Sequence, residues 1–198
     1  MPVNQENHDL FAHDASRSDL LILVDENDRE QGTATKQEAH TQGLLHRAFS
    51  VVLLRSTNDD VELLLTQRAF EKYHSGGLWT NSCCSHPRSG ENLGQAVIRR
   101  VQEELGASIE APFEIGSFVY RADFENGLVE HEYDHVSIAW FEGVCAPDPT
   151  EVASIRWITC ADLKRELESF PERFTAWAPR VLALAMDWIE THAEGTEA

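Results

Sequence analysis

A chain of 198 residues with 42% hydrophobic content is long enough for one well-packed domain and too short to favour two. Its 34 acidic residues against 16 basic ones, with only three lysines, leave a formal net charge of −18, which argues against binding a nucleic-acid backbone. No apolar run approaches the ~20 residues that span a bilayer, and the opening MPVNQENHDLFAHDASRS is polar and acidic where a signal peptide is basic and then apolar, so a cytoplasmic protein is expected.

Residues 1–18 carry no periodic pattern and are expected to form a loose acidic tail, in which His8 and His13 are incidental, ahead of one domain over residues 19–198. LLILVD (20–25) reads as a buried strand followed by a turn at ENDRE. HRAFSVVLL (46–54) and VELLLTQR (61–68) read as two strands of a hairpin joined by STNDD. In ENLGQAVIRRVQEELG (91–106), Leu93, Val97, Val101 and Leu105 recur at helical spacing, and Gly106 stands where a C-terminal glycine cap belongs. SFVYRADF (117–124) and LVEHEYDHVSIAWF (128–141) flank an Asn-Gly pair, the signal of a type I′ hairpin turn. A last strand, IRWITC (155–160), leads into two helical stretches, DLKRELESF and WAPRVLALAMDWIETH. Hairpins around a helix, with further helices at the end, predict an α+β fold with a mixed or antiparallel sheet. Architecture alone leaves the chemistry open.

The four cysteines form no CxxC pair and show no regular spacing, so neither a zinc ribbon nor a disulfide framework is indicated, and reduced thiols fit. The stretch WTNSCCSHP (79–87) is the informative one. Strand alternation puts Cys84 and His86 on one face and Cys83 and Ser85 on the other, so one thiol and one imidazole are presented together. Taken alone, two buried cysteines and a satisfied histidine serve the stretch as well. Cys145 and Cys160 have no electropositive neighbours that would make a thiol reactive, and read as structural.

The same alternation projects Glu130, Glu132 and Asp134 from one face of the 128–141 strand, followed by Val136, Ile138 and Trp140. Carboxylates on a face that turns apolar are either a solvated edge or a paired, protonated or metal-bound group, because bare burial costs several kcal/mol. His131 and His135 project the other way. KQEAHTQGLLH adds His40 and His46, and three histidines with two glutamates suit an N/O site for a divalent ion such as Mg²⁺, Mn²⁺ or Zn²⁺. The scarce basic residues gather around Lys36, Arg68, Lys72, Arg99 and Arg100, which in so acidic a chain points to an anionic substrate such as a phosphate ester. The remaining acidic surplus reads as a solvated surface. Salt adaptation is the hypothesis attached to it, and it requires thermal stability to rise with added KCl.

The span SHPRSGENLGQAVIRRVQEELG (85–106) resembles a degenerate Nudix box: Glu91, Arg99, Val101, Glu103, Glu104 and Gly106 match, whereas Ser85 and Arg100 depart from it. From about residue 20 to 180 the chain is similar to the type I isopentenyl-diphosphate isomerases, through KQEAH, LLHRAFS, RAFEK, GLWTNSCCSHP, AVIRRVQEELG, YRADF, GLVEHE and FTAW. That resemblance implies a Nudix-like catalytic domain and interconversion of isopentenyl and dimethylallyl diphosphate by a 1,3 allylic proton shift, without a redox cofactor. It implies an Mn²⁺ or Zn²⁺ site at His40, His46, His86, Glu130 and Glu132, and a Mg²⁺ held by Glu104 and the main-chain carbonyl of Cys84. Diphosphate contacts fall on Lys36, Arg68, Lys72 and Arg100. The catalytic pair falls on Cys84 and Glu132, with Tyr120 assisting and Trp177 facing the cation. Trp79 and Asn81 are expected to shape the pocket, Cys83 to face away as core, and Trp140, Trp157 and Trp188 to be core. The expected partners are a small isoprenyl diphosphate, with neither nucleic acid nor membrane, in a monomer or weak homodimer.

Overall fold

The computed structural model describes residues 20–57 and 60–193. The tail expected over residues 1–18, with His8 and His13, lies outside these, as do Asn58 and Asp59 of the expected turn.

The sheet is organised by one strand, β3 (His46–Ser56), after β1 (Leu20–Val24), β2 (Glu30–Thr35) and the short helix α1 (Lys36–Gln42). After it come β4 (Val61–Arg68), β5 (Trp79–Thr80), β6 (Cys83–Ser85), α2 (Leu93–Leu105), β7 (Phe113–Asp123), β8 (Val129–Trp140), β9 (Val152–Thr159), α3 (Cys160–Ser169) and α4 (Ala178–Ala193). β8 runs parallel to β3, pairing from His46↔Glu132 to Leu54↔Trp140. The other edge of β3 takes β1, then β6, then β4, all antiparallel. β7 flanks β8, and β4 carries both β5 and β9. The sheet is therefore mixed. The expected β3–β4 hairpin forms, but over three pairs only, and β4 is held mainly by β9.

β3 is apolar on both faces because each faces its own core. Phe49, Val51 and Leu53 pack with Val97, Val101 and Leu105 of α2. Val52 and Leu54 pack with Val181, Leu182 and Ala185 of α4. Helix α2 occupies its expected span, with Asn92 as N-cap and Gly106 left-handed at φ 59°. A side chain there would also strike the Ala146 carbonyl, a Cβ lying 2.7 Å from its oxygen, so glycine is required twice over.

Several details differ from expectation. β2 and α1 are not foreseeable from apolar periodicity, since EQGTAT and KQEAHTQ have almost none; the local signal is the Thr35–Glu38 capping box. Phe124 closes a turn onto Gly127, whose φ is 81°, whereas Asn126 stays at negative φ. The connection is therefore not type I′ but an ordinary turn followed by a left-handed glycine. Cys160 opens α3 instead of ending β9, because Thr159 caps the helix through Asp162. Trp140 ends its strand half exposed and is not core, whereas Trp157 and Trp188 pack partly against the two cores.

Leu54 is fully buried in the core beneath α4. Leu54→Ala is expected to cost about 2–5 kcal/mol, read as a lower urea midpoint with an unchanged m-value.

Candidate active site

At the ends of β3 and β8 nearest α1, the face that packs on α4 changes from apolar to polar. Val52 and Leu54 give way to Ser50 and His46, and Ile138 and Val136 to Asp134, Glu132 and Glu130. Register places Glu132 between His46 on β3 and Tyr120 on β7. β6 sets Cys84 opposite Ser50, with His86 just beyond, and α1 brings in His40. The result is a cavity of about 160 Å³ between the sheet, α2 and the start of α4, lined by Cys84, Glu132, Tyr120 and Trp177.

Ligand atoms of His40, His46, His86 and Glu132 lie within 4.8 Å of one another. Backbone carbonyls fix two of the rings. His40 Nδ1 lies 2.7 Å from the Lys36 carbonyl and His46 Nδ1 2.8 Å from that of Leu44. A carbonyl only accepts, so Nδ1 carries a hydrogen, and each ring in its neutral form offers the lone pair of Nε2. Those lone pairs point at oxygens that are also acceptors: Glu130 Oε2 at 3.2 Å and Glu132 Oε1 at 3.5 Å. His46 Nε2 is buried and makes no hydrogen bond among the described residues. Acceptors converging on acceptors need positive charge between them. Burial disfavours the imidazolium of His46, but Glu132 and Glu130 outweigh it and raise its pKa. Burial lowers the pKa of His86 to about 4 against the pull of Glu132, leaving a neutral ring. The cluster fits a divalent metal ion. Glu130, the fifth expected ligand, sits beside this group of four and is shared between His40 and His74.

The two oxygens of Glu132 face different neighbours. Oε1 lies 2.9 Å from His86 Nε2, and Oε2 accepts the Tyr120 hydroxyl at 2.5 Å. Burial opposes the ionisation of Glu132, and so does the charge of Glu130, yet the imidazoles of His46 and His86 beside it hold its pKa below the ordinary value. Cys84 is the reverse case. Burial drives its thiol well above the usual range, and Arg68 offsets only part of that. A protonated thiol and an ionised carboxylate therefore look into one cavity. Trp177, buried at 3% exposure, lies edge-on to the ring of His74 and tilted against that of Tyr120.

Lys36, Arg68, Lys72 and Arg100 all line the same cavity. Arg68 lies over Trp177, 5.5 Å from the ring centre; Lys72 is paired with Glu151 and Arg100 with Glu104. Burial raises the pKa of Glu104 in spite of Arg100. Within the box, Arg99 donates two hydrogen bonds of 2.7 and 2.8 Å to Glu91, which ties the loop before α2 to the helix.

Cys83 lies in the core under α2, as expected, and also touches the edge of the cavity, where burial and the nearby Glu104 charge push its thiol pKa well up. Trp79 and Asn81 do not line the cavity; Thr66 and Thr80 do. Asn81 is fully buried and donates to the carbonyls of Val51 and Cys83, pinning the corner that carries Cys84, while Trp79 packs on Arg156. His131 and His135 point away, to the Gly43 carbonyl and to Asp28 and Glu114. Sequence reasoning missed His74 and Glu151, and it set Asp134 on the carboxylate face without giving it a role. Asp134 is buried against Ser50, and burial together with the Glu132 charge pushes its pKa well up. His74 and Glu151 sit in segments with no periodicity to flag them.

Fold and site together define a Nudix-class protein, and residues 44–178 match the model of the NUDIX domain. A solved protein from Deinococcus radiodurans superposes with a TM-score of 0.66 at 18% identity, covering 83% of this chain and 98% of its own, a likeness of fold alone. The isopentenyl-diphosphate Delta-isomerase of Photobacterium profundum is 53% identical over 82% of this chain and 91% of its own length. That of Burkholderia multivorans is 50% identical over 79% and 87%. The chain belongs to the isopentenyl-diphosphate Delta-isomerase family.

Proposed function

We propose that the protein interconverts isopentenyl and dimethylallyl diphosphate by adding a proton at one end of the allylic system and removing one from the other. The observation that carries this reading is the placement of Cys84 and the Glu132–Tyr120 pair in one cavity, between a His/Glu cluster and four basic side chains. Protonating an unactivated alkene gives a tertiary carbocation, so the site needs a proton donor, a proton acceptor and exclusion of water. Cys84 holds a proton on Sγ. Glu132 Oε2 is a base already coupled to the Tyr120 hydroxyl. Trp177 lends its π face to the cation, worth about 2 kcal/mol or more when desolvated.

In the same reading Lys36, Arg68, Lys72 and Arg100 hold the diphosphate. His40, His46, His86, Glu130 and Glu132 hold Mn²⁺ or Zn²⁺, and Glu104 with the Cys84 carbonyl holds Mg²⁺ against the diphosphate. Bound there, the metal ions supply fixed positive charge that organises the carboxylates and the substrate's phosphates. No described helix is long and apolar enough to cross a membrane, and the protein is read as a cytoplasmic monomer or weak homodimer acting on a small molecule.

Proton NMR of isopentenyl diphosphate in D₂O with the metal-loaded protein tests the reaction. Dimethylallyl diphosphate carrying deuterium is the expected product, and release of phosphate or pyrophosphate instead would replace the isomerase by a Nudix hydrolase. Arg100 separates the two as well. Arg100→Glu restores the carboxylate of the Nudix box, yet is expected to raise KM by about 10- to 100-fold, the loss of one charge-assisted contact, with no hydrolysis gained.

A further inference from the structure

Resting on the metal-centre reading above, we propose that His74 is a positioning residue of that centre: it donates a hydrogen bond that orients Glu130, and it is not itself a ligand. Main-chain carbonyls force the hydrogen of His40 and His46 onto Nδ1 and leave Nε2 free to coordinate. His74 has no such carbonyl. Its Nδ1 faces the Ser75 hydroxyl at 3.2 Å, a group that can donate. Its Nε2 lies 2.8 Å from Oε1 of Glu130. A carboxylate oxygen accepts, so His74 carries its hydrogen on Nε2, the opposite tautomer, and has no lone pair to give at that atom.

What it gives is direction. With Oε1 of Glu130 anchored by His74, the second oxygen, Oε2, turns to Nε2 of His40, 3.2 Å away. The anchor is itself held: the side chain is 3% exposed, and the ring stacks on Phe124 with centroids 4.6 Å apart and lies edge-on to Trp177. Asn126 holds the preceding carbonyl, that of Tyr73, at 2.8 Å. Outer hydrogen bonds of this kind set the orientation of metal-binding carboxylates, and losing one weakens metal affinity by about 10- to 100-fold.

The test is Mn²⁺ binding by the full chain, read from the EPR signal of free aqueous Mn²⁺, with no substrate present. His74→Phe keeps a packed ring but no N–H, and should weaken binding by about 10- to 100-fold; His74→Gln, which returns an N–H near the same place, should recover most of it. Unchanged affinity in His74→Phe overturns the proposal, and so does a His74→Gln protein as weak as His74→Phe, since packing would then be the whole effect. His46→Ala, measured alongside, separates the two readings: undiminished Mn²⁺ binding there removes the metal centre itself, whereas its loss with His74→Phe unaffected removes only the role of His74.

Discussion

Cys84→Ala is expected to lower kcat by about 10³-fold or more, within or beyond the range for losing a positioned acid or base, while metal and diphosphate affinities change little. The contrast follows from where the side chain sits. Cys84 reaches the cavity from β6, and its thiol is kept protonated by burial, so alanine removes a transferable proton without removing a charge. The Cys84 carbonyl belongs to the backbone and survives the substitution. Deuterium incorporation in D₂O, followed by NMR beside calorimetric titration with inorganic pyrophosphate, reads both quantities. Equal loss of binding and turnover would assign Cys84 to packing. Cys83→Ala is the neighbouring control: it deletes a buried core contact at the edge of the cavity, and should act on stability and diphosphate binding before it acts on the chemical step.

How far such residues are legible in sequence depends on which rule governs them. Period-2 alternation along a strand needs no tertiary knowledge, so it separated Cys84 from Cys83 and put Glu130 and Glu132 on the face opposite to His131 and His135. Helical spacing with a glycine stop did the same for α2. The long parallel pairing of β3 with β8 is different. It joins residues some 86 positions apart, from His46 to Glu132, and no local pattern announces it. His74 and Glu151 escaped for the same reason, since they lie in aperiodic segments and gain meaning only from Glu130 and Lys72 across the cavity. Trp140 failed in the other direction: alternation gave its face correctly, but the strand outruns the core that would cover it. Asn81 was expected to shape the pocket, and it does so without lining it, because its buried amide donates to two carbonyls and fixes the corner that carries Cys84.

Glu132→Gln should be the most damaging single substitution in the cavity, with kcat reduced about 10³- to 10⁴-fold and Mn²⁺ affinity reduced as well. Its two oxygens are divided between two neighbourhoods: Oε1 faces His86 and His46, and Oε2 accepts from Tyr120. Glutamine replaces one oxygen with a donor. Placed toward His86 and His46, the amide donates to Nε2 lone pairs that would otherwise face the metal; placed toward Tyr120, it meets a hydroxyl that already donates, a buried contact frustrated at a cost of about 1–3 kcal/mol. Either way the base is lost. Tyr120→Phe isolates half of this effect. It removes the donor to Oε2 and leaves Oε1 and the imidazoles in place, so turnover should fall while Mn²⁺ affinity holds. A Tyr120→Phe protein that loses Mn²⁺ as badly as Glu132→Gln would refute the division of labour between the two oxygens, because the carboxylate would then be serving the metal through both.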